Sequence, residues 1–87
     1  MDSCRVEFRR PAEKDLRKIA ASHLPQVVEA IRGLANEPMP YGVRKLVGGE
    51  HSYRIRVGDY RVVYQWLGKT KLVVIEKVRH RKDVYRD

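Results

Sequence analysis

The sequence predicts an α+β domain in which a helical hairpin covers one face of an antiparallel sheet. Three observations lead to this fold class: a short alternating run near the start, two amphipathic helical stretches after it, and three β-rich runs in the second half. A chain of 87 residues can bury one hydrophobic core but not two. We therefore expect a single domain that spans residues 1–87.

The first half of the chain is predicted to form an N-terminal strand and two helices. Residues 4–8 alternate apolar and polar side chains, as a strand does. Pro11 suits the first turn of a helix whose apolar positions recur at helical spacing until about Ser22. Pro25 begins a second helical pattern, which residues 36–42 cannot continue because they hold two prolines and a glycine. A link of two or three residues should make these helices an antiparallel hairpin, whose apolar stripe needs a sheet to lie on.

The second half is predicted to form a three-stranded antiparallel meander. The strand-like runs 53–57 and 60–66 are separated by Gly58-Asp59, a signal for a tight two-residue turn. A third run, 72–75, is apolar on both faces, as a central strand would be. Residues 80–86 are charged and should form a short C-terminal helical turn or a tail.

Basic residues outnumber acidic residues, and the excess lies in the second half of the chain. Lysine and arginine total 19 against 11 aspartate and glutamate, which gives a net charge of +8. Residues 1–43 hold seven basic and six acidic side chains, whereas residues 44–87 hold twelve and five. A compact domain with this charge attracts polyanions, so we expect a nucleic acid to bind the second half.

The turn at residues 58–59 predicts that Arg56 lies directly opposite Arg61. Arg54 then shares their face, which is turned away from the core. Like charges opposite each other destabilise a sheet by up to about 1 kcal/mol, so folding alone does not favour this pair. Guanidinium groups match phosphate oxygens, which favours an RNA-binding face. The alternative is a solvated face on which Glu76 lies opposite Arg61 and partly neutralises it.

Residues 79–86 add basic side chains and one aromatic ring, Tyr85. Arginine beside an exposed ring is a common arrangement for holding single-stranded RNA, with phosphate on the cation and a base stacked on the ring. The alternative is that Tyr85 packs back on the sheet while the charges are solvated. A basic tail does not decide between the two by itself.

No metal or nucleotide site is indicated. His23, His51 and His80 are scattered and Cys4 is the lone cysteine, so the spacing of zinc ligands is absent. The glycine pair at 48–49 lacks the pattern of a phosphate-binding loop. We expect no cofactor and no metal. The single cysteine, the lack of an N-terminal signal and the lack of a long apolar run favour a cytoplasmic protein without membrane contact.

Four further segments are informative, residues 44–46, 53–56, 59–65 and 80–85, which read RKL, YRIR, DYRVVYQ and HRKDVY. They resemble segments of RelE-type toxins, a branch of the RelE/ParE toxins of type II toxin–antitoxin systems. The resemblance spans nearly the whole chain and implies the RelE-like microbial RNase fold. It also implies an endoribonuclease that enters the ribosomal decoding site and cleaves mRNA without metal. In that reaction a ribose 2′-OH attacks the adjacent phosphate and leaves a cyclic phosphate and a 5′-OH.

The same resemblance implies roles for particular residues. The implied catalytic residues are Arg56, Arg61, Arg79 and the base-stacking Tyr85. The implied RNA or phosphate contacts are Lys45, Arg54 and Arg81.

Arg56 departs from the family, which often has a lysine at this position. A lysine beside other cations can lose its proton and act as a base, whereas a guanidinium keeps its proton. Either Arg56 acts through its charge alone or another residue takes the proton. His80 is the first candidate for that base and His51 the second, because imidazole titrates near neutral pH. Tyr85 is a further candidate.

Two other functions stay open at this stage. ParE-type members share the fold and inhibit DNA gyrase by binding, without cleaving anything. A plain RNA-binding module would keep the arginines and lack the chemistry. The arginine face together with a terminal tyrosine favours the nuclease.

The resemblance also implies a protein partner, a cognate antitoxin. An inhibitor of so basic a domain should be acidic and extended, folding on contact and laying an amphipathic helix in an apolar groove. We expect it to cover Arg54, Arg56 and Arg61 or to displace residues 79–86.

Overall fold

The computed structural model describes residues 3–84, with positions 83 and 84 described by their backbone alone. Five strands form one sheet in the order β1-β5-β4-β3-β2, in which β1 is parallel to β5 and the other neighbours are antiparallel. The predicted α+β fold class is confirmed. The elements in chain order are β1 (Arg5–Phe8), α1 (Arg10–Lys18), α2 (Leu24–Gly33), β2 (Arg44–Lys45), β3 (Ser52–Val57), β4 (Tyr60–Leu67), β5 (Leu72–His80) and α3 (Arg81–Val84).

The first helix is shorter than the sequence pattern predicted. Pro11 lies in its first turn as expected, but α1 ends at Lys18 rather than near Ser22. Ile19 adopts an extended backbone and is buried, so it packs into the core from outside the helix. A turn that begins at Ala20 leads into α2, and the connection therefore has five residues instead of two or three.

The meander has the predicted register but a longer last strand. Every predicted pair between β3 and β4 is present around the turn at 58–59. The third run was predicted to end at Ile75, whereas β5 continues to His80. The strand β2 was not predicted, because a run of two residues carries no alternation. It pairs with β3 and makes the sheet five-stranded.

The core lies between the helices and one face of the sheet. Side chains from α1, α2 and three strands meet there, and burial of their apolar area is the main term that stabilises the domain. None of the described helices is long and apolar enough to cross a membrane. The core residues are Ala12, Ile19, Val27, Ile31 and Leu34 from the helical half and Ile55, Val62, Tyr64, Val73, Ile75 and Val78 from the sheet.

Candidate nucleic-acid interface

Three arginines from three neighbouring strands lie side by side on the sheet face turned away from the helices. Arg56 of β3 pairs with Arg61 of β4, as predicted, and Arg61 pairs on its other side with Arg79 of β5. These three residues are termed the arginine rung, and their side of the sheet the arginine face. The alternative of Glu76 opposite Arg61 is not what the structure shows. The neighbour of Arg61 on β5 is a third cation.

A β-bulge gives Arg79 its place in the rung. The ladder between β4 and β5 shifts by one residue at Val63 and Tyr64, which leaves Glu76 without a partner on β4. In an unbroken ladder Val78 would face away from the core and Arg79 would point into it, because a shift of one residue moves every side chain to the other face. The extra residue keeps Val78 buried and turns Arg79 to the arginine face.

A second row of basic residues lies beside the rung. Arg44 of β2 pairs with Arg54 of β3, and the same row continues through Val63 to Lys77 of β5. The sequence analysis did not single out Arg44. The one available signal was its place in the RelE-like segment 44–46, since the strand that carries it was not predicted.

Two members of the rung have no carboxylate partner among the side chains that the structure describes. Arg56 is exposed, whereas Arg61 is only 7% exposed and its Nη1 atom is buried without a hydrogen-bond acceptor. A buried donor left unsatisfied costs about 1–3 kcal/mol. The fold therefore keeps an unsatisfied cationic donor at the centre of the rung, and an anionic oxygen would satisfy it.

Arg79 and Arg81, by contrast, each lie near a carboxylate. The Arg79 Nε atom is 3.4 Å from Asp15 Oδ2 of α1, and the Arg81 Nε atom is 3.9 Å from Asp59 Oδ1 in the β3–β4 turn. The second pair is exposed on both sides and contributes little to stability. A hydrogen bond of 2.7 Å from the Arg81 N–H to the Asp59 carbonyl oxygen fixes the start of α3 beside that turn.

A cleft of about 750 Å³ opens where the arginine face meets the β3 edge. Its walls combine cations with apolar atoms of α2 and one acid, Glu37. Tyr41 also lines the cleft, and its side chain is fully exposed. Positive grooves with exposed rings suit single-stranded nucleic acid, because phosphates meet the cations and bases stack on the rings. Sequence analysis missed Tyr41, which lies between Pro40 and Gly42 and outside any periodic pattern. The cations of the cleft are Arg44, Arg54, Arg56 and Arg61.

His80 is not brought to the arginine rung. It pairs with Tyr60 at the end of β5, on the helix-covered face of the sheet. Its ring meets the Tyr60 ring edge-on, with centroids 5.3 Å apart, and its Nδ1 atom accepts a hydrogen bond of 3.2 Å from the Lys82 N–H. The His80 ring therefore lies on the opposite side of the sheet from the arginine rung, and its Nδ1 atom already accepts a hydrogen bond.

Three further predicted residues also lie away from the rung or outside the described range. Lys45 pairs with Tyr53, so the alternation of β2 turns it to the side opposite Arg44. His51 is exposed in the loop before β3. Tyr85 lies outside the described residues. Within residues 3–84, no three His, Cys, Asp or Glu side chains come together as a metal site would require.

A buried tyrosine holds the segment that carries Tyr41. The Tyr64 hydroxyl donates a hydrogen bond of 2.6 Å to the Pro38 carbonyl oxygen. Burial and the neighbouring Tyr53 raise the pKa of Tyr64 from 10.0 to about 12. The phenol therefore stays protonated, and able to donate, throughout the neutral range.

Replacing Tyr64 with phenylalanine should loosen this segment and remove a dependence of stability on alkaline pH. Because folding raises the pKa of Tyr64, its contribution is complete below about pH 10 and is lost as pH rises towards about 12. We expect Tyr64→Phe to lower the free energy of unfolding by about 1 kcal/mol at pH 7. The difference between the two chains should shrink above pH 10. Denaturant unfolding of both from pH 7 to 11 measures this, and a difference that does not change with pH would contradict it.

Comparisons with known proteins assign the chain to a family. The family described as ParE toxin of the type II toxin–antitoxin system, parDE, matches residues 6–85. The chain is 31% identical over 85 residues to the putative toxin RelE1 of Methanocaldococcus jannaschii, covering 94% of both chains. It is 37% identical over 84 residues to toxin RelG of Mycobacterium tuberculosis, covering 93% of this chain and 94% of that protein.

Solved structures agree with this assignment. A chain of an archaeal RelE–RelB complex from Pyrococcus horikoshii superposes with a TM-score of 0.80 at 33% identity, covering 91% of this chain and 96% of that one. A chain of the RelBE2 toxin–antitoxin complex from Mycobacterium tuberculosis gives a TM-score of 0.78 at 32% identity, covering 91% and 99%. The whole fold, from β1 to the end of the meander, is thus shared with RelE structures, and this chain belongs to the RelE/ParE family of type II toxin–antitoxin toxins.

Proposed function

We propose that this toxin is an endoribonuclease that cleaves mRNA at the decoding site of the ribosome and so inhibits translation. The observation that carries the proposal is the arginine rung, in which Arg56 and Arg61 have no described carboxylate partner and Arg61 holds a buried unsatisfied donor. Such an arrangement lowers stability, so a role for it outside folding is the simpler account. Cytoplasmic location follows from a ribosomal target and belongs to the same proposal.

In the reaction we propose, a ribose 2′-OH attacks the adjacent phosphate, the bond from phosphorus to the 5′ oxygen breaks, and a cyclic phosphate and a 5′-OH are left. Negative charge develops on the phosphate oxygens in the transition state, and fixed cations placed there lower the barrier. Arg61 is the central contact, with Arg56 and Arg79 on either side of it. The outer residues Arg44 and Arg54 hold neighbouring phosphates. Arg81 provides a further phosphate contact beside the β3–β4 turn. Tyr85 is proposed to stack on a base, as the RelE resemblance implies.

The catalytic base is not supplied by His80 in this mechanism. The ring faces the helices, and no described side chain on the arginine face is a neutral imidazole. We therefore assign the catalysis to charge stabilisation, with the proton of the 2′-OH passing to solvent and the leaving 5′ oxygen taking a proton from solvent. Lys45, which faces the opposite side of the β2 edge, contributes a phosphate contact only if the RNA turns around that edge.

Replacing His80 with glutamine should leave mRNA cleavage within about twofold of the parent rate, because the imidazole does not face the rung. Single-turnover cutting on translating ribosomes measures the rate. A fall of about a hundredfold with unchanged thermal stability would restore His80 as the base. His51→Gln tests the second candidate in the same way, and His23→Gln is the matched control, because this exposed histidine lies just before α2 and is not a candidate for the base.

The proposed activity is tested by mapping mRNA 5′ ends after the purified chain is added to translating ribosomes. New ends within codons support the nuclease. Intact mRNA together with gyrase stalled on cleaved DNA would support the second candidate, a gyrase inhibitor. The match to the ParE toxin family is the reason for testing this candidate. Specific RNA binding without either effect would indicate a non-catalytic RNA-binding module.

We also propose a cognate antitoxin as the protein partner. Two of the structures to which this chain is similar are toxins bound to RelB or within a RelBE complex. The net charge of +8 favours an acidic inhibitor. An apolar groove of about 360 Å³ beside β1 offers a place for an amphipathic helix, with Phe8 partly exposed in its wall. The antitoxin would silence the site by covering Arg54, Arg56 and Arg61 or by displacing residues 79–86.

A further inference from the structure

The outer edge of β5 is left uncovered by its neighbouring strand just where Arg79 lies. The parallel pairing of β1 ends with Phe8 opposite Ile75. Beyond that point the backbone N–H groups of β5 on this side have no strand to bind. Helix α1 passes this edge, and the Asp15 carboxylate accepts a hydrogen bond of 2.9 Å from the Val78 N–H through Oδ2. The Asp15 carboxylate therefore accepts a hydrogen bond from an N–H group that has no neighbouring strand to bind.

The same carboxylate oxygen also approaches Arg79. The distance from Asp15 Oδ2 to the Arg79 Nε atom is 3.4 Å, with 13% of the Asp15 side chain and 37% of the Arg79 side chain exposed. The Nε atom is buried and makes no full hydrogen bond with any described group. The contact is thus an ion pair within a sheltered space, where charges are screened less than at the surface. This ion pair limits the movement of the guanidinium at the Nε atom, where the group joins the rest of the side chain.

The geometry points to Asp15 as a positioning residue for Arg79. A guanidinium carries donors on Nε and on both terminal nitrogens. When a carboxylate takes up the Nε side, the two terminal nitrogens remain for a phosphate, in the forked arrangement that binds two oxygens at once. The backbone bond to Val78 fixes the carboxylate, and the bulge at Glu76 fixes the strand. Asp15 acts through Arg79 and does not touch the RNA.

This inference rests on the proposed nuclease activity and supplies a role that composition could not reveal. Asp15 is one of the acids in the first half of the chain, and from the sequence we would expect it only to complement the dipole of the first helix. Its contacts instead reach across to residues 78 and 79, more than sixty positions away. The partial neutralisation of Arg79 leaves Arg56 and Arg61 as the unpaired charges of the rung.

The first test is Asp15→Asn, which keeps an oxygen to accept the Val78 N–H while removing the charge. We expect the single-turnover rate of mRNA cutting to fall by roughly ten- to a hundredfold, since misplacing a reacting group by about 1 Å costs that much. The saturation midpoint for ribosomes should change little. Glu13→Gln, an exposed acid on the same helix, is the matched control and should cut at the parent rate.

A double-mutant cycle separates positioning from a general loss of stability. Arg79→Lys keeps a positive charge but has no Nε for the carboxylate to hold. In this background Asp15→Asn should lower the rate by less than about twofold, because the group that it positions has gone. An equal loss in both backgrounds would overturn the inference, as would undiminished cutting by Asp15→Asn.

An independent measurement reads the contact without any RNA. The ¹⁵N and ¹H resonances of the Arg79 Nε–H group should shift, and its exchange with water should become faster, in Asp15→Asn but not in Glu13→Gln. If these resonances stay unchanged, Asp15 does not hold Arg79 and the inference fails. If the parent chain shows the expected resonances but cuts no mRNA, the proposed nuclease fails while the contact between Asp15 and Arg79 stands. The two failures are therefore distinguishable.

Discussion

Replacing Arg61 with methionine should abolish mRNA cleavage and make the folded chain more stable. Arg61 is almost fully buried between two other arginines, and its Nη1 atom lacks an acceptor. Methionine has a similar reach and fills the same space without a donor or a charge. Removing a buried unsatisfied donor and two cross-strand repulsions should raise the free energy of unfolding by about 1–3 kcal/mol. Loss of the central cation should lower the cutting rate by at least about a hundredfold.

Both quantities are measured on the same sample, stability by denaturant unfolding and activity by cutting on translating ribosomes. Arg17→Met is the matched control, because this arginine is exposed on α1 and away from the sheet face. It should change stability by no more than about 0.5 kcal/mol and leave cutting intact. A destabilised Arg61→Met chain would show that Arg61 supports the fold and would remove the main argument for the rung as a phosphate site.

The register of the arginine pair could be predicted because local chemistry determines it. A two-residue Gly-Asp turn leaves one way to align the flanking strands, and the apolar alternation of residues 53–57 and 60–66 selects the face. The end of α1 could not be predicted in the same way. The segment after Ile19 is compatible with a helix, and burial of Ile19 in the finished core decides where the helix ends.

The third arginine of the rung depends on tertiary structure. Simple alternation along β5 would place Arg79 inside the core. The extra residue at the bulge, Glu76, reverses the alternation, so that Arg79 lies on the arginine face. One signal was present: the apolar positions Ile75 and Val78 are three residues apart, which a regular strand with one buried face does not tolerate. The same reversal places the His80 side chain on the helix-covered face. His80, the first candidate for the base because of its imidazole, therefore does not share the face of Arg79.

Replacing Arg56 with lysine should make cleavage faster near neutral pH and change the shape of its pH profile. The resemblance to RelE-type toxins implies a lysine here, whereas this chain has a group that keeps its proton. In the variant, the neighbouring cations Arg54 and Arg61 lower the pKa of the new ammonium, because like charges disfavour its protonated form. The neutral amine can then accept the proton of the 2′-OH. General bases contribute about 10²–10⁴-fold, so we expect a gain of at least about tenfold at pH 8.

The shape of the pH dependence distinguishes a base from a fixed charge. A lysine that acts as a base is active when neutral, so the single-turnover rate of Arg56→Lys should rise with pH and level off once the amine is deprotonated, while the parent rate should keep rising with the ionisation of the 2′-OH. Arg44→Lys is the matched control, since this residue lies in the outer row and should leave the pH profile unchanged. A slower Arg56→Lys chain with the parent profile would mean that the forked guanidinium is itself required at this position. Charge geometry and not proton transfer would then be what limits the reaction.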